Sequence, residues 1–139
     1  MNQTPLSEFP LNPRLAADTH FVTSLELCNV LLVNDARFVW LILVPRIEGA
    51  IEVFHLDELQ KVQLATEIDQ ISGVVLDLTN CEKLNVGALG NIVRQLHVHI
   101  IAREISDAAW PGPVWGVGTA KPYSAEAKST LLKKIKSRL

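Results

Sequence analysis

The sequence predicts an α+β domain built around an antiparallel sheet. Two β-rich runs, residues 29–33 and 38–44, are separated by a short segment containing Asn34 and Asp35, which favour a turn, so we expect a hairpin. From Leu56 onward, apolar residues recur every three or four positions, which is typical of an amphipathic helix. A parallel sheet would need repeated strand–helix–strand units, and the chain shows no such repeat.

The other elements are predicted from caps, β-branched residues and turn residues. In chain order they are a short helix over residues 14–19 behind Asn12 and Pro13, a short extended piece over 51–54, the central helix from Leu56 to near Asn80, a strand over 83–86, a glycine loop over 87–91, a strand over 94–103 and a last helix capped by Ser124. Residues 110–116 contain two prolines, which fix φ and remove backbone donors, so we expect a stiff extended flap.

We therefore expect residues 1–139 to form a single domain. Its parts would be an N-terminal arm over residues 1–13, a Trp- and Pro-rich flap over residues 106–123 and a C-terminal helix over residues 124–139. With 48% apolar and 20% charged residues, a chain of 139 residues can bury one core.

Charge and hydropathy exclude several classes of partner. The net charge of −2 is unlike the basic surface that binds nucleic-acid phosphates, and no apolar run reaches the ~18 residues of a membrane span. Basic residues cluster near the end of the last helix, where the helix dipole already favours cations. We expect small-molecule or protein partners, and neither nucleic acid nor a membrane.

Two features bear on the cellular compartment. Cys28 and Cys81 lack CxxC spacing, so we expect reduced packing residues rather than a zinc ribbon or a disulfide scaffold. Residues 1–13 lack the basic-then-apolar pattern of a signal peptide. Both features predict a cytoplasmic protein.

The segment over residues 95–103 contains two of the four histidines. Polar and apolar residues alternate there, so strand geometry places Gln95, His97 and His99 on one face and the apolar residues on the opposite, core-facing side. Side chains two residues apart on a strand lie roughly 7 Å from each other, close enough to bind one phosphoryl group together. The alternative without a function is a solvated strand face.

Two functional interpretations remain open for these histidines. A metal site would need three or more ligands, and the other candidates have no recognisable ligand spacing. Those candidates are His20, His55, Glu104 and Asp107. Alternatively, one neutral imidazole could attack phosphorus while the second imidazole and the Gln95 amide donate hydrogen bonds to phosphate oxygens.

The residues from Gly90 to Arg103 resemble the histidine-triad signature of nucleotide hydrolases and transferases, which is H-x-H-x-H followed by two apolar residues, with a Gly-Gln pair upstream. The resemblance covers roughly residues 28–105. In that region, residues 31–34, 41–46 and 54–59 are similar to elements of the diadenosine-polyphosphate hydrolase branch, in the same order. It implies a five-stranded antiparallel sheet, a homodimer, a nucleotide substrate and no cofactor.

The resemblance also implies roles for individual residues. His97 falls on the member of the triad that attacks the α-phosphorus and becomes transiently nucleotidylated, and His99 falls on the last member. Gln95 stands where the family has its first histidine, and an amide can orient its neighbours but cannot titrate. Asn91 replaces the glutamine of the upstream pair, and Ala102 replaces a common proline.

Four residues are candidates for nucleotide binding. Asn34 falls where the family has an asparagine near the ribose, and Asn85 is a weaker candidate for ribose or phosphate. Gly90 and Asn91 lie in the loop where backbone amides could approach a phosphate. The expected function is cleavage at the α-phosphorus of a nucleoside polyphosphate, dinucleotide or phosphoramidate. The alternative is a nucleotide-binding or signalling module with little turnover. The flap could cover the nucleotide, a neighbouring subunit or the core.

Overall fold

The computed structural model describes residues 8–139, which fold around a five-stranded antiparallel sheet. The elements in chain order are α1 Pro13–Asp18, β1 Thr19–Ser24, β2 Cys28–Val33, β3 Trp40–Pro45, a 3₁₀ turn Val53–His55, α2 Glu58–Leu78, β4 Lys83–Gly87, β5 Val98–Arg103 and α3 Ala125–Lys136. The strand order is β1-β2-β3-β5-β4. This confirms the predicted α+β class with its long central helix and C-terminal helix.

Side-chain caps fix the beginnings of the helices. Asn12 accepts a hydrogen bond from the amide of Arg14 and begins α1, and Ser124 accepts from the amide of Ala127 at the start of α3. Asp57 and Gln60 form a reciprocal capping box, so α2 begins at Glu58, two residues after the predicted start. Each cap is a local side-chain interaction, which explains why the sequence located these helices well.

Several expectations about local structure were wrong or incomplete. Strand β1 was not predicted, because residues 19–24 show little alternation and are held by pairing with β2 across a bulge. Residues 53–55 form a 3₁₀ turn rather than an extended piece, since the His55 Nδ1 accepts hydrogen bonds from the amides of Ile51 and Glu52. The predicted strand over 94–103 begins only at Val98.

Both faces of the sheet are covered. One face packs against α2 and α3, and its core residues include Val30, Leu32, Leu41, Leu43, Ile100, Ile71 and Ile135. The opposite face carries the histidines and is covered by α1, the described part of the arm and the flap. His97 and His99 are only 7% and 6% exposed, so the solvated strand face is wrong. Of the predicted arm, residues 1–7 lie outside the described residues.

The flap over residues 106–123 consists of successive turns rather than the extended segment that was predicted. It is anchored by Arg103, whose guanidinium binds both carboxylate oxygens of Asp107 at 2.8 and 3.1 Å. Arg103 also donates to the Asn85 Oδ1 at 2.7 Å and to the Gly112 carbonyl at 2.8 Å. Within residues 8–139, no helix is long and apolar enough to span a membrane.

Asp107 binds the flap backbone in addition to binding Arg103. Its carboxylate accepts from the amides of Glu104, Ala109 and Trp110, which closes the first turn of the flap. The Arg103 hydrogen bond holds the pKa of Asp107 well below its ordinary value. The folded protein therefore favours the ionised carboxylate.

Replacing Asp107 with Asn should lower the free energy of unfolding by about 3 kcal/mol, because it leaves the buried Arg103 without a charge partner. The loss should be complete above the ordinary Asp pKa of 3.8. It should shrink as the pH falls below that value, because the Asp107 carboxylate of the unfolded wild-type chain then binds a proton while that of the folded protein stays ionised. Urea denaturation at several pH values measures this. Asp69→Asn, at an exposed position of α2, is the control. Equal effects of the two substitutions would contradict the prediction.

Candidate active site

The two histidines lie together at the centre of the covered face. His99 is in β5, and His97 lies just before its first residue. Their ring centroids are 4.9 Å apart and the ring planes cross at 66°. Leu96 donates its amide to the Ala50 carbonyl, so the backbone turns away from the sheet before β5, yet both imidazoles still face the same side. The predicted pairing of His97 and His99 is therefore present.

Hydrogen-bond partners give the two imidazoles opposite tautomers. The His97 Nδ1 lies 2.7 Å from the Gln95 carbonyl oxygen, which can only accept, so this Nδ1 carries the hydrogen. The Trp40 indole Nε1, which can only donate, lies 2.9 Å from the His99 Nδ1. A neutral His97 consequently has its lone pair on Nε2, whereas a neutral His99 has a hydrogen there.

Burial keeps His99 uncharged. Desolvation, with a further contribution from the charge of His97, lowers the pKa of His99 to about 4. Near neutral pH the site thus holds a neutral His99 that donates through Nε2.

Two tryptophans form an aromatic wall beside His99. The His99 ring centroid is 5.6 Å from that of Trp40 and 5.2 Å from that of Trp115, and the two indoles meet edge to face. The Trp115 Nε1 is buried and has no hydrogen-bond partner among the described residues. The sequence patterns above assign Trp40 no role, and its hydrogen bond to His99 emerges only in the structure. Its place two residues before Ile42, the cross-strand partner of His99, is the signal that could have identified it.

An open position on β4 and a nearby cavity are two places where a ligand could reach the histidine pair. Gly87 is the cross-strand partner of His99 on β4, and a Cβ placed at Gly87 would meet no atom within 4 Å. A cavity of about 420 Å³ is lined by Trp40, Trp115 and Asn34, among others, but by neither histidine. The two tryptophans that contact His99 therefore connect the histidine pair to this cavity.

Comparison with known proteins identifies the family of this chain. The family model of the HIT domain matches residues 14–105. The chain belongs to the HIT domain family. No protein with a curated description matches the chain.

Solved structures of histidine triad proteins are similar over nearly their whole length. One from Bradyrhizobium japonicum is 45% identical, with a TM-score of 0.91, and the match covers 94% of this chain and 97% of that one. One from Sinorhizobium meliloti is also 45% identical, with a TM-score of 0.92 and coverage of 96% and 99%. One from Marinobacter aquaeolei is 44% identical, with a TM-score of 0.91 and coverage of 94% and 96%.

The candidate nucleotide-binding residues of this HIT domain lie in three separate places. Asn34 lines the cavity, and its Oδ1 accepts from the Tyr123 amide at 3.0 Å. Asn85 belongs to the flap anchor, because its Oδ1 accepts from Arg103. Gly90 adopts a positive φ of 68°, which favours glycine, and Asn91 is exposed in the loop between β4 and β5.

The metal interpretation finds no ligand set in the structure. Within residues 8–139, no group of three or more His, Cys, Asp or Glu side chains is placed to hold a metal ion. Asp107, one of the ligands considered from the sequence, is bound to Arg103 instead.

Replacing Trp40 with Phe should allow His99 to populate both neutral tautomers, because phenylalanine keeps an aromatic ring but has no donor for Nδ1. The hydrogen bond from Trp40 stabilises the neutral imidazole, so the pKa of His99 should rise above its value of about 4. A titration followed by imidazole ¹⁵N chemical shifts measures both effects. Trp110→Phe, in the flap near Arg103, is the control. An unchanged His99 tautomer in the Trp40 variant would contradict this assignment.

Proposed function

We propose that this HIT domain is a nucleotide hydrolase or transferase that cleaves at the α-phosphorus through a nucleotidyl-His97 intermediate. Family membership indicates nucleotide-binding or hydrolase activity in general terms. The observation that carries the finer proposal is the pair of opposite tautomers, which places a free Nε2 lone pair on His97 beside an Nε2–H donor on His99. A nucleophile at phosphorus needs that lone pair, and phosphate oxygens need that donor.

The proposed reaction has two displacements. In the first, the His97 Nε2 forms a bond to the α-phosphorus while the bond from that phosphorus to its leaving group breaks. The hydrogen bond from Nδ1 to the Gln95 carbonyl stabilises the positive charge that develops on the imidazole. In the second, the oxygen of a water molecule attacks the same phosphorus, the P–N bond breaks and a nucleoside monophosphate leaves. The proton lost by the water passes to solvent, and His97 returns to its neutral tautomer.

The cavity lined by the two tryptophans that contact His99 fits the nucleoside part of a nucleotide. The cavity of about 420 Å³ has two indole walls, one of which carries the unpartnered Trp115 Nε1 donor. Aromatic walls stack well on planar bases. Asn34 lines the same cavity, and its Nδ2 takes part in no hydrogen bond among the described residues, so it is available to a ribose hydroxyl. We place the nucleoside there and the polyphosphate along Gly87, Gly90 and Asn91.

The substrate class we propose is a nucleoside polyphosphate, dinucleotide or phosphoramidate, as in the diadenosine-polyphosphate hydrolase branch that the sequence resembles. By its resemblance to the family signature, Gln95 stands at the first position of the triad. Its amide cannot transfer a proton, so turnover would favour leaving groups that need little protonation, such as polyphosphates.

Incubation with a dinucleoside polyphosphate labelled at the α-phosphate tests the covalent step. We expect wild-type protein to retain one label per chain under single-turnover conditions. His97→Ala should abolish both the label and turnover while leaving nucleotide affinity within a few-fold, because it removes the nucleophile but few ground-state contacts. His55→Ala, at an exposed residue of the 3₁₀ turn, is the control.

Three outcomes would contradict the proposal. Labelled His97→Ala protein would mean that another residue is the nucleophile. Tight nucleotide binding without any label in wild-type protein would favour a binding or signalling module. Stoichiometric zinc or iron by elemental analysis, with activity lost on chelation, would favour a metal site.

We also propose that two copies pair through the free edge of β4. Within residues 8–139, β4 pairs with β5 alone, so its outer edge is available to another strand. The Leu84 carbonyl accepts from the exposed Lys83 Nζ at 2.8 Å, a contact that a pairing strand would replace. Val86, Leu89 and Ile92 expose apolar side chains on this strand and the loop that follows it. The opposite edge, β1, carries a bulge, which disfavours pairing of that edge.

Sedimentation at micromolar concentration should therefore give twice the mass of 15.4 kDa. Val86→Lys should shift the equilibrium towards single chains, because a lysine on an edge strand opposes pairing. Phe21→Lys, at a similarly exposed residue of β1, should leave the mass unchanged. A single-chain mass for wild-type protein would contradict the proposal.

A further inference from the structure

The side chain of Gln95 binds the backbone of the N-terminal arm. Its Nε2 donates to the Pro10 carbonyl at 2.9 Å, and its Oε1 accepts from the Asn12 amide at 2.8 Å. These partners are 85 and 83 residues away in the chain. An amide offers one donor group and one acceptor group, so the arm uses both.

The backbone of the same residue holds His97. The Gln95 carbonyl accepts from the His97 Nδ1 at 2.7 Å, which is the hydrogen bond that fixes its tautomer. Residue 95 lies outside the sheet, because β5 begins at Val98 and its ladder cannot orient this carbonyl. The side-chain hydrogen bonds to the arm hold the residue in place instead.

The arm is itself firmly anchored on the sheet. Leu11 packs against an apolar cluster that includes Leu15, Leu31, Ile42 and Val44. One residue later, Asn12 caps α1 by accepting from the Arg14 amide. The arm around residues 10–12 is thus a fixed support to which Gln95 can be attached.

From these contacts we infer that Gln95 is a positioning residue: its amide clamps the arm, and its carbonyl thereby orients His97. The arm over residues 10–12 then belongs to the active site, although it carries no reacting group. This inference rests on the proposed role of His97 as nucleophile. It also gives the residue at the first triad position a task that needs no proton transfer and no contact with phosphate.

A double-substitution experiment in the full-length chain tests the clamp. Gln95→Leu keeps the size of the side chain but removes both hydrogen bonds, and we expect kcat to fall about tenfold with KM within twofold. Leu11→Asp should release the arm from its apolar cluster and lower kcat similarly. If Gln95 acts through the arm, the double variant should be no slower than the slower single variant. Gln70→Leu, at an exposed position of α2, is the control.

Gln95→Glu is an intermediate variant, because it keeps the size and shape of the side chain but removes one of its two hydrogen bonds to the arm. A carboxylate can still accept from the Asn12 amide but cannot donate to the Pro10 carbonyl. We expect a loss of kcat between wild type and Gln95→Leu. If the effects of Gln95→Leu and Leu11→Asp instead multiply, and KM rises at least tenfold, Gln95 contacts substrate directly and the clamp is wrong.

A readout without substrate separates this inference from the proposed function. Imidazole ¹⁵N shifts report the His97 tautomer, and hydrogen exchange reports the protection of the Asn12 amide. In Gln95→Leu we expect a mixed His97 tautomer and faster exchange at Asn12. If wild-type protein forms no nucleotidyl intermediate but Gln95→Leu changes the His97 tautomer and the Asn12 exchange rate, the proposed function fails and the clamp stands. If Gln95→Leu changes neither the tautomer nor the exchange rate, the clamp is overturned whatever the activity.

Discussion

The covered face of the sheet depends on one buried ion pair. Among residues 8–139, Arg103 is the largest fully buried side chain. A buried guanidinium must be compensated by a charge and by acceptors for its remaining donors. Asp107, Asn85 and the Gly112 carbonyl supply them. Because Asp107 and Gly112 belong to the flap, neutralising Arg103 requires the flap to fold back over β5.

The position of the flap in turn sets the chemistry of the histidines. The flap places Val114 against Phe38 and Ile101, and Trp115 against His99. Exclusion of water there lowers the pKa of His99, so that the imidazole remains neutral and can act only as a hydrogen-bond donor through Nε2. A charge balance at one end of β5 therefore decides the protonation of a residue four positions earlier.

The arm performs the complementary task at the other end of the site. It binds Gln95 just before β5, whereas the flap is anchored by Arg103 at the end of the strand. His97 and His99 lie between these two attachments, one oriented by the Gln95 carbonyl and the other by Trp40. The two histidines consequently differ in tautomer although they stand side by side with similar exposure.

The sequence by itself determined the elements whose causes are local. Asn34 and Asp35 mark the hairpin turn, Asn12 and Ser124 cap their helices, and the alternation around His97 and His99 places both on one face. The resemblance to the histidine-triad signature gave the family, because a motif is a local pattern. These features depend on residues only a few positions apart, and the structure agrees with them.

Only the tertiary structure decided the features that join distant segments. The tautomer of His99 depends on Trp40, 59 residues away, and Gln95 is bound by the arm across more than 80 residues. Strand β5 begins late because the Leu96 amide donates to the Ala50 carbonyl and not to a neighbouring strand. Periodicity and capping report what a segment does alone, whereas hydrogen bonds between distant segments exist only after the sheet has assembled and buried their partners.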